Sequence, residues 1–221
     1  MKPFVMKRET LKKQVYEYLR EEIITGRIAP GERLIEEKIS KKIEVSRSPI
    51  REAIRMLEKD GLVTVNKSGG VTVFRPDLSH FQYLYECRVE LEPAAAYYAA
   101  KRITKKQVEM LRKHLLGKQQ IENKRDLITM HDANAQFHEG IIESSGNPFL
   151  IKTISHLRGI NSIYRMEILK ENSLRTESAM EEHLKIFESI VNGNADDARK
   201  YMRDHIVSDY NFYMDAYKER E

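Results

Sequence analysis

The 221-residue sequence predicts a mainly α protein: an N-terminal winged helix-turn-helix followed by an all-helical bundle. Three observations carry this reading. Three short amphipathic segments run directly into a pair of β-branched stretches, no strand pattern appears after residue 77, and Arg75-Pro76-Asp77 is the one linker-like junction between the two regimes. The division is therefore a reader over residues 1–76 and a body over residues 77–221.

Each element of the reader follows from spacing. Leu11, Val15, Leu19 and Ile23 recur every four residues, an amphipathic helix over about 10–25 that Gly26 stops. After the Pro30-Gly31 turn, Ile35, Ile39 and Ile43 define a second helix over about 36–43. Ile50, Ile54 and Leu57 are the inner face of a third over about 48–60, ended by Gly61. The runs LVTV and VTVF flank Asn66-Lys67-Ser68-Gly69-Gly70, a hairpin whose tip needs glycine's backbone freedom.

The body reads as six helices near 78–101, 104–122, 126–145, 148–170, 174–192 and 195–218. Gly146-Asn147-Pro148 and Asn192-Gly193-Asn194 are strong breakers, and the boundary near 123–125 is soft. Pro93, inside the first of these helices, predicts a kink or break. About 145 residues of helix are enough for a separate core and an internal pocket.

Composition narrows the function classes. With 41% hydrophobic and 33% charged residues the chain can fill a core but is too polar for a membrane protein. No stretch approaches the roughly 18 uncharged residues of a spanning helix, and the start MKPFVMKRET has no signal-like apolar run. A single cysteine, Cys87, agrees with a reducing compartment, so the expected location is cytoplasmic, with no membrane partner. The net charge of +4 is uneven: residues 1–76 hold 17 Lys and Arg against 11 Asp and Glu, and the rest hold 21 against 23. A basic reader on a mildly acidic body suits double-stranded DNA.

The third helix supplies the means. Arg47, Arg51 and Arg55 fall at i, i+4 and i+8, a basic stripe about a third of a turn from the buried row. An arginine fork matches the two acceptors on a guanine edge, while Ser46, Ser48 and free backbone N–H groups suit phosphates. Lys67, Gly69 and Gly70 let the wing approach the neighbouring backbone. An isolated arginine triplet more often only solvates a helix, but the hairpin that follows weighs against that here. The run PGERLIEEKISKKIEVSRSPIREAIRMLEKDGLVTV resembles the reader of GntR-type bacterial transcription regulators, over about residues 10–76. The resemblance implies that Arg47 and Arg51 read bases and that Gly69-Gly70 belong to the wing. Glu44 replaces the usual turn glycine, and Glu37 stands where a DNA-contacting arginine is frequent.

Three of the seven histidines sit on apolar stripes of different helices. His138 falls among Met130, Phe137 and Ile141, with Asn134 one turn before it; His183 falls with Met180, Phe187 and Ile190; His205 falls with Ala198, Tyr201, Met202 and Phe212. Singly, each reads as a satisfied core residue; together they could converge on a divalent metal. Arg88 also lies on an inward stripe and needs an anion, either Glu92 one turn along or a ligand carboxylate; Tyr85, one turn before it, could add a hydrogen bond.

The segments ECRVELEPAAAYYAA, NAQFHEGIIESSGNPFL, EEHLKIFESIVNGNADDARKYM and RDHI resemble the FCD effector domain of the FadR subfamily of GntR regulators. The resemblance implies a metal site at Asn134, His138, His183 and His205, with Asn134 where aspartate is usual. It also implies a small organic acid beside the metal, held by Arg88. Zinc is the first expectation for the metal, with nickel, manganese and iron as alternatives. Six predicted helices point to the VanR-like variant of the domain. The combined expectation is an effector-responsive regulator, repressor rather than activator, acting as a homodimer on a palindromic operator. A regulator responding to metal alone is the alternative. A metal-dependent enzyme is disfavoured, because no base or nucleophile is placed for it.

Overall fold

A computed structural model of the chain describes residues 10–119, 126–171 and 173–218. It divides into two compact units, Met1–Arg75 and Pro76–Glu221.

In the first unit, α1 (Leu11–Ile24) lays Val15, Leu19 and Ile23 on Ile50, Ala53, Ile54 and Leu57 of α3 (Arg47–Lys59), all of them buried. Burial of each such Leu or Ile contributes about 1.5–3 kcal/mol. Leu11, expected on this face, is exposed, and the Tyr16 hydroxyl closes the packing by donating to Asp60 at the end of α3. Between them in the chain lies α2 (Glu36–Ile43); of the three isoleucines expected on its inner face only Ile39 is buried, and Ile35 is the exposed N-cap. The helix ends on Glu44 at φ +53, the one non-glycine residue with positive φ among the described residues. This is the turn position where the sequence lacks the usual glycine.

The hairpin expected from sequence is β2 (Val63–Val65) and β3 (Val71–Val73). A two-residue strand, β1 (Arg33–Leu34), completes a sheet of order β1-β3-β2; Arg33 pairs with Thr72 and Thr64 pairs with Thr72 from the other side. At the tip the Asn66 side-chain oxygen accepts from the Ser68 and Gly70 amides, and Gly69 takes φ +81 in open space. Gly70 is buried beneath Asn66, where a Cβ would lie 2.8 Å from the amide nitrogen. It closes the turn of the wing.

The second unit holds seven helices among the described residues: α4 (Leu78–Arg102), α5 (Lys105–Gln119), α6 (Leu127–Ser144), α7 (Pro148–Ser155), α8 (Arg158–Glu171), α9 (Ser173–Val191) and α10 (Ala195–Lys218). The expected segment 148–170 is two helices. The chain tightens at His156-Leu157, where the Leu157 amide reaches back only to the Ile154 carbonyl. His156 and Leu157 are not breakers and Gly159 falls inside the first turn of α8, so periodicity runs through the joint. The count of six is corrected to seven, and the VanR-like variant loses the observation it rested on. The soft boundary near 123–125 lies outside the described residues.

Helix α4 is the central element, packed on α10, α6, α9 and α7, with Phe81, Leu84, Ala96 and Ala99 in the core. Pro93 does not break it. Proline removes the N–H that the Val89 carbonyl would accept, and Arg203 from α10 donates to that carbonyl instead, at 3.3 Å. Asp77 caps α4 through the His80 amide, and its own carbonyl accepts from the Tyr164 hydroxyl on α8. Asn147 caps α7 after Gly146 at φ +62, as the breaker at 146–148 requires. Among the described residues no helix is long and apolar enough to cross a membrane.

Candidate functional site

The reading helix starts at Ser46, its extended N-cap, and presents Arg47, Arg51 and Arg55 to solvent with side chains 60%, 56% and 67% exposed. Each has a carboxylate partner. Arg51 donates through Nε and an Nη to the two oxygens of Glu36, at 3.1 and 3.0 Å. Arg47 lies 3.4 Å from Glu37, and Arg55 donates to Glu52 at 2.8 Å. The two-pronged contact on Glu36 is the geometry an arginine presents to a guanine edge. Ser46, Ser48, Lys67 and Gly69 are exposed on the same unit.

In the body, His138 on α6, His183 on α9 and His205 on α10 come together. One ring nitrogen of each lies within 4.8 Å of the others, and all three are buried. Carboxylates orient two of the rings. His138 donates through Nδ1 to Glu92 at 2.7 Å, and His205 through Nδ1 to Glu182 at 2.6 Å, so each Nε2 is left as a lone-pair donor. The His183 and His205 Nε2 atoms are 3.2 Å apart, a separation at which one proton lies between them. Burial pushes the His138 pKa down to about 3, which keeps the ring neutral as a ligand must be. His138 Nε2 and Asn134 Oδ1 are buried without a hydrogen-bond partner. Two orphaned acceptors beside a third imidazole fit a divalent cation with imidazole and oxygen ligands.

Arg88 is 2% exposed and donates through Nε to Glu92 at 2.5 Å, so Glu92 serves both the arginine and His138. Burial alone would raise the Glu92 pKa; Arg88 and His138 outweigh it and hold the carboxylate well below its usual range. One Arg88 nitrogen, Nη2, has no partner. The guanidinium lies over the Tyr85 ring at 4.5 Å. Tyr85 stands behind the arginine and is not in the wall of the adjoining cavity; it borders a shallower groove with Val89, Arg203 and Tyr210.

That cavity, of about 60 Å³, is lined by Arg88, Glu92, His138, Asn161 and Arg165, with Ile142 and Ile154 on its apolar side. Arg165 is a residue the sequence reading missed. It is buried on α8, and burial, with Arg88 nearby, pushes its pKa down. The Asn161 side-chain oxygen, one turn earlier, is buried without a partner. Around His205 lies a second unforeseen group: Arg175 donates to both oxygens of Glu182 and to Asp209 Oδ1.

A winged reader with an exposed arginine stripe, joined to a helical body with its own buried polar centre, is the architecture of a DNA-binding transcription regulator. Residues 11–73 match the family model for bacterial regulatory proteins of the gntR family, and residues 83–208 match that of the FCD domain. The chain belongs to the GntR family of transcription regulators, in the group that carries an FCD effector domain. An HTH-type transcriptional regulator of Bacillus subtilis, YdhC, is 30% identical over 198 residues, 89% of this chain and 88% of its own length. The HTH-type transcriptional repressor RspR of Escherichia coli is 25% identical over 199 residues, covering 90% and 86%. The solved structure of E. coli McbR/YncC shares the fold at a TM-score of 0.80 and 21% identity, over 95% of this chain and all of that one. These relatives are regulators and not enzymes.

Proposed function

We propose that this regulator binds its operator as a homodimer and changes its DNA affinity when a small dianionic carboxylate binds beside a divalent metal in the body. The observation that carries the proposal is one cavity bordered both by His138, whose Nε2 has no partner, and by Arg88, whose Nη2 has none. Asn134, His138, His183 and His205 would hold the metal, zinc in the first place, and the bound ion would supply a Lewis-acidic positive charge next to His138, which lines that cavity. Arg88 offers its unpartnered Nη2 to one carboxylate of the acid, and Arg165 lines the same cavity.

Charge supports a dianion. The three guanidiniums of Arg88, Arg165 and Arg175 are matched by the carboxylates of Glu92, Glu182 and Asp209. A divalent ion leaves that group two positive charges in excess, which a dicarboxylate cancels. Size supports a short one, since 60 Å³ is room for about four to six waters at 10–15 Å³ each. Repression is the expected sign of action, as in the relative named a repressor.

The test needs an operator, obtained by selecting duplexes from a random library with the full chain. Protein freed of metal with EDTA is then titrated with Zn2+ alone and with Zn2+ plus a panel of two- to six-carbon carboxylates. A 5- to 150-fold change in operator affinity that needs both metal and a dicarboxylate is expected. A change produced by Zn2+ alone marks a metal sensor and refutes the organic effector.

A further inference from the structure

We propose that Asp209, on α10, adds to the metal site the anionic ligand that the neutral amide at position 134 does not supply. The inference rests on the metal reading above. Asp209 follows His205 by four residues, so its carboxylate shares the inner face of α10 with that imidazole. Its Oδ2 lies 3.7 Å from His205 Nε2, the nitrogen freed by the Glu182 contact. Two ligand atoms bound tetrahedrally to one ion at about 2.1 Å each stand about 3.4 Å apart, so the carboxylate needs to move only a few tenths of an ångström.

The rest of the carboxylate is already fixed. Asp209 Oδ1 accepts from Arg175 Nε at 3.0 Å and from an Arg175 Nη at 2.6 Å, which leaves Oδ2 as the oxygen facing the imidazole. This repeats on α10 the spacing that Asn134 and His138 show on α6, an oxygen donor and an imidazole one turn apart. The two donors differ in charge. Three neutral imidazoles and an amide would leave a buried divalent ion wholly uncompensated in its own shell, next to the two cavity guanidiniums of Arg88 and Arg165. Asp209 removes one of those charges from within ligand distance. Carboxylate oxygen with imidazole suits zinc, manganese and iron alike.

The test uses the full chain, with Zn2+ affinity measured by competition against a chromophoric chelator and the ligand shell read from the d–d spectrum of the Co2+ form. D209N should weaken Zn2+ binding by about 100-fold or more, beyond what loss of an outer contact gives. N134D/D209N, which moves the carboxylate to α6, should restore most of it. R175Q breaks the same ion pair but keeps the carboxylate, and should bind Zn2+ at least as tightly as wild type. D209E should keep the affinity within about tenfold and shift the Co2+ bands. Wild-type affinity in D209N overturns the proposal. So does an equal loss in D209N and R175Q with no recovery in N134D/D209N, which would make Asp209 a structural partner of Arg175. A wild-type protein that takes up no Zn2+ or Co2+ instead refutes the metal reading of the whole cluster.

Discussion

Replacing Glu92 with glutamine keeps the side chain's shape and removes its charge at the point where Arg88 and His138 meet. Both side chains of the Arg88–Glu92 pair are almost wholly buried, at 2% and 3% exposure, so solvent cannot take over from the lost partner. Breaking one side of such a pair costs about 3–5 kcal/mol. For a protein of this size that lowers the melting temperature by about 6–20 °C. A second effect concerns the metal. The new amide turns its oxygen to Arg88, because an NH2 there would face the guanidinium, and its NH2 then meets His138 Nδ1. The imidazole proton moves to Nε2, and that nitrogen can no longer act as a ligand. Calorimetry of the full chain in EDTA and in Zn2+ reads both: a large fall in EDTA, and no gain on adding Zn2+ to E92Q where wild type is stabilised. The double variant R88M/E92L buries no charge and should recover most of the loss. A melting temperature for E92Q within about 2 °C of wild type in EDTA would refute the buried pair as a source of stability.

Arg47→Ala or Arg51→Ala should each weaken binding to the selected operator by about 1–3 kcal/mol, or roughly 5- to 150-fold, and random duplex by less; equal loss on both in a filter or fluorescence assay would reduce them to phosphate contacts. Glu44→Gly should relieve the left-handed backbone at φ +53 and stabilise the α2–α3 turn by about 0.5–1 kcal/mol after glycine's own entropy is counted. Native-state hydrogen exchange of amides in those helices should slow about two- to fivefold, and faster exchange would contradict the strain. In metal-free protein the folded His138 resists protonation down to about pH 3, while the unfolded chain takes the proton near 6.5. Its contribution is therefore complete above pH 6.5 and falls below it by up to about 1.4 kcal/mol per pH unit. The low-lying Glu92 carboxylate adds a further loss below about 4.5. A melting temperature unchanged between pH 7 and 5 in EDTA would argue against a buried neutral His138.

The reader was legible almost whole because its signals are local. Apolar spacing, Gly61 and the 66–70 turn each act within a few residues, whereas β1 is two residues long and exists only through its pairing with β3, Arg33 with Thr72 and Leu34 with Val71. The join of α7 and α8 left no mark because the tightened turn at His156-Leu157 uses ordinary residues. In the body each histidine announced its inward face, but the meeting of α6, α9 and α10 is a tertiary fact. Glu92 was readable as the neighbour of Arg88 one turn along; that its other oxygen reaches His138, 46 residues away, was not. Arg165 and Asp209 did carry a signal, a charge on an otherwise inward stripe, and Asp209 stands one turn after a histidine already singled out.

The stacking of Arg88 on Tyr85 has an optical consequence. The chain has 11 tyrosines and no tryptophan, so tyrosine emission is not drained by transfer to an indole. Tyr85 sits in a cluster with Phe81, Tyr210 and, through Phe81, Tyr213 and Tyr164, and its ring carries the guanidinium that borders the cavity. Any anion that draws Arg88 off that ring changes the field at a fully buried fluorophore. The wild-type protein thus carries its own label: ligand titrations can be followed by its tyrosine emission, with Y85F as the matched control in which the ligand-dependent part of the signal is lost.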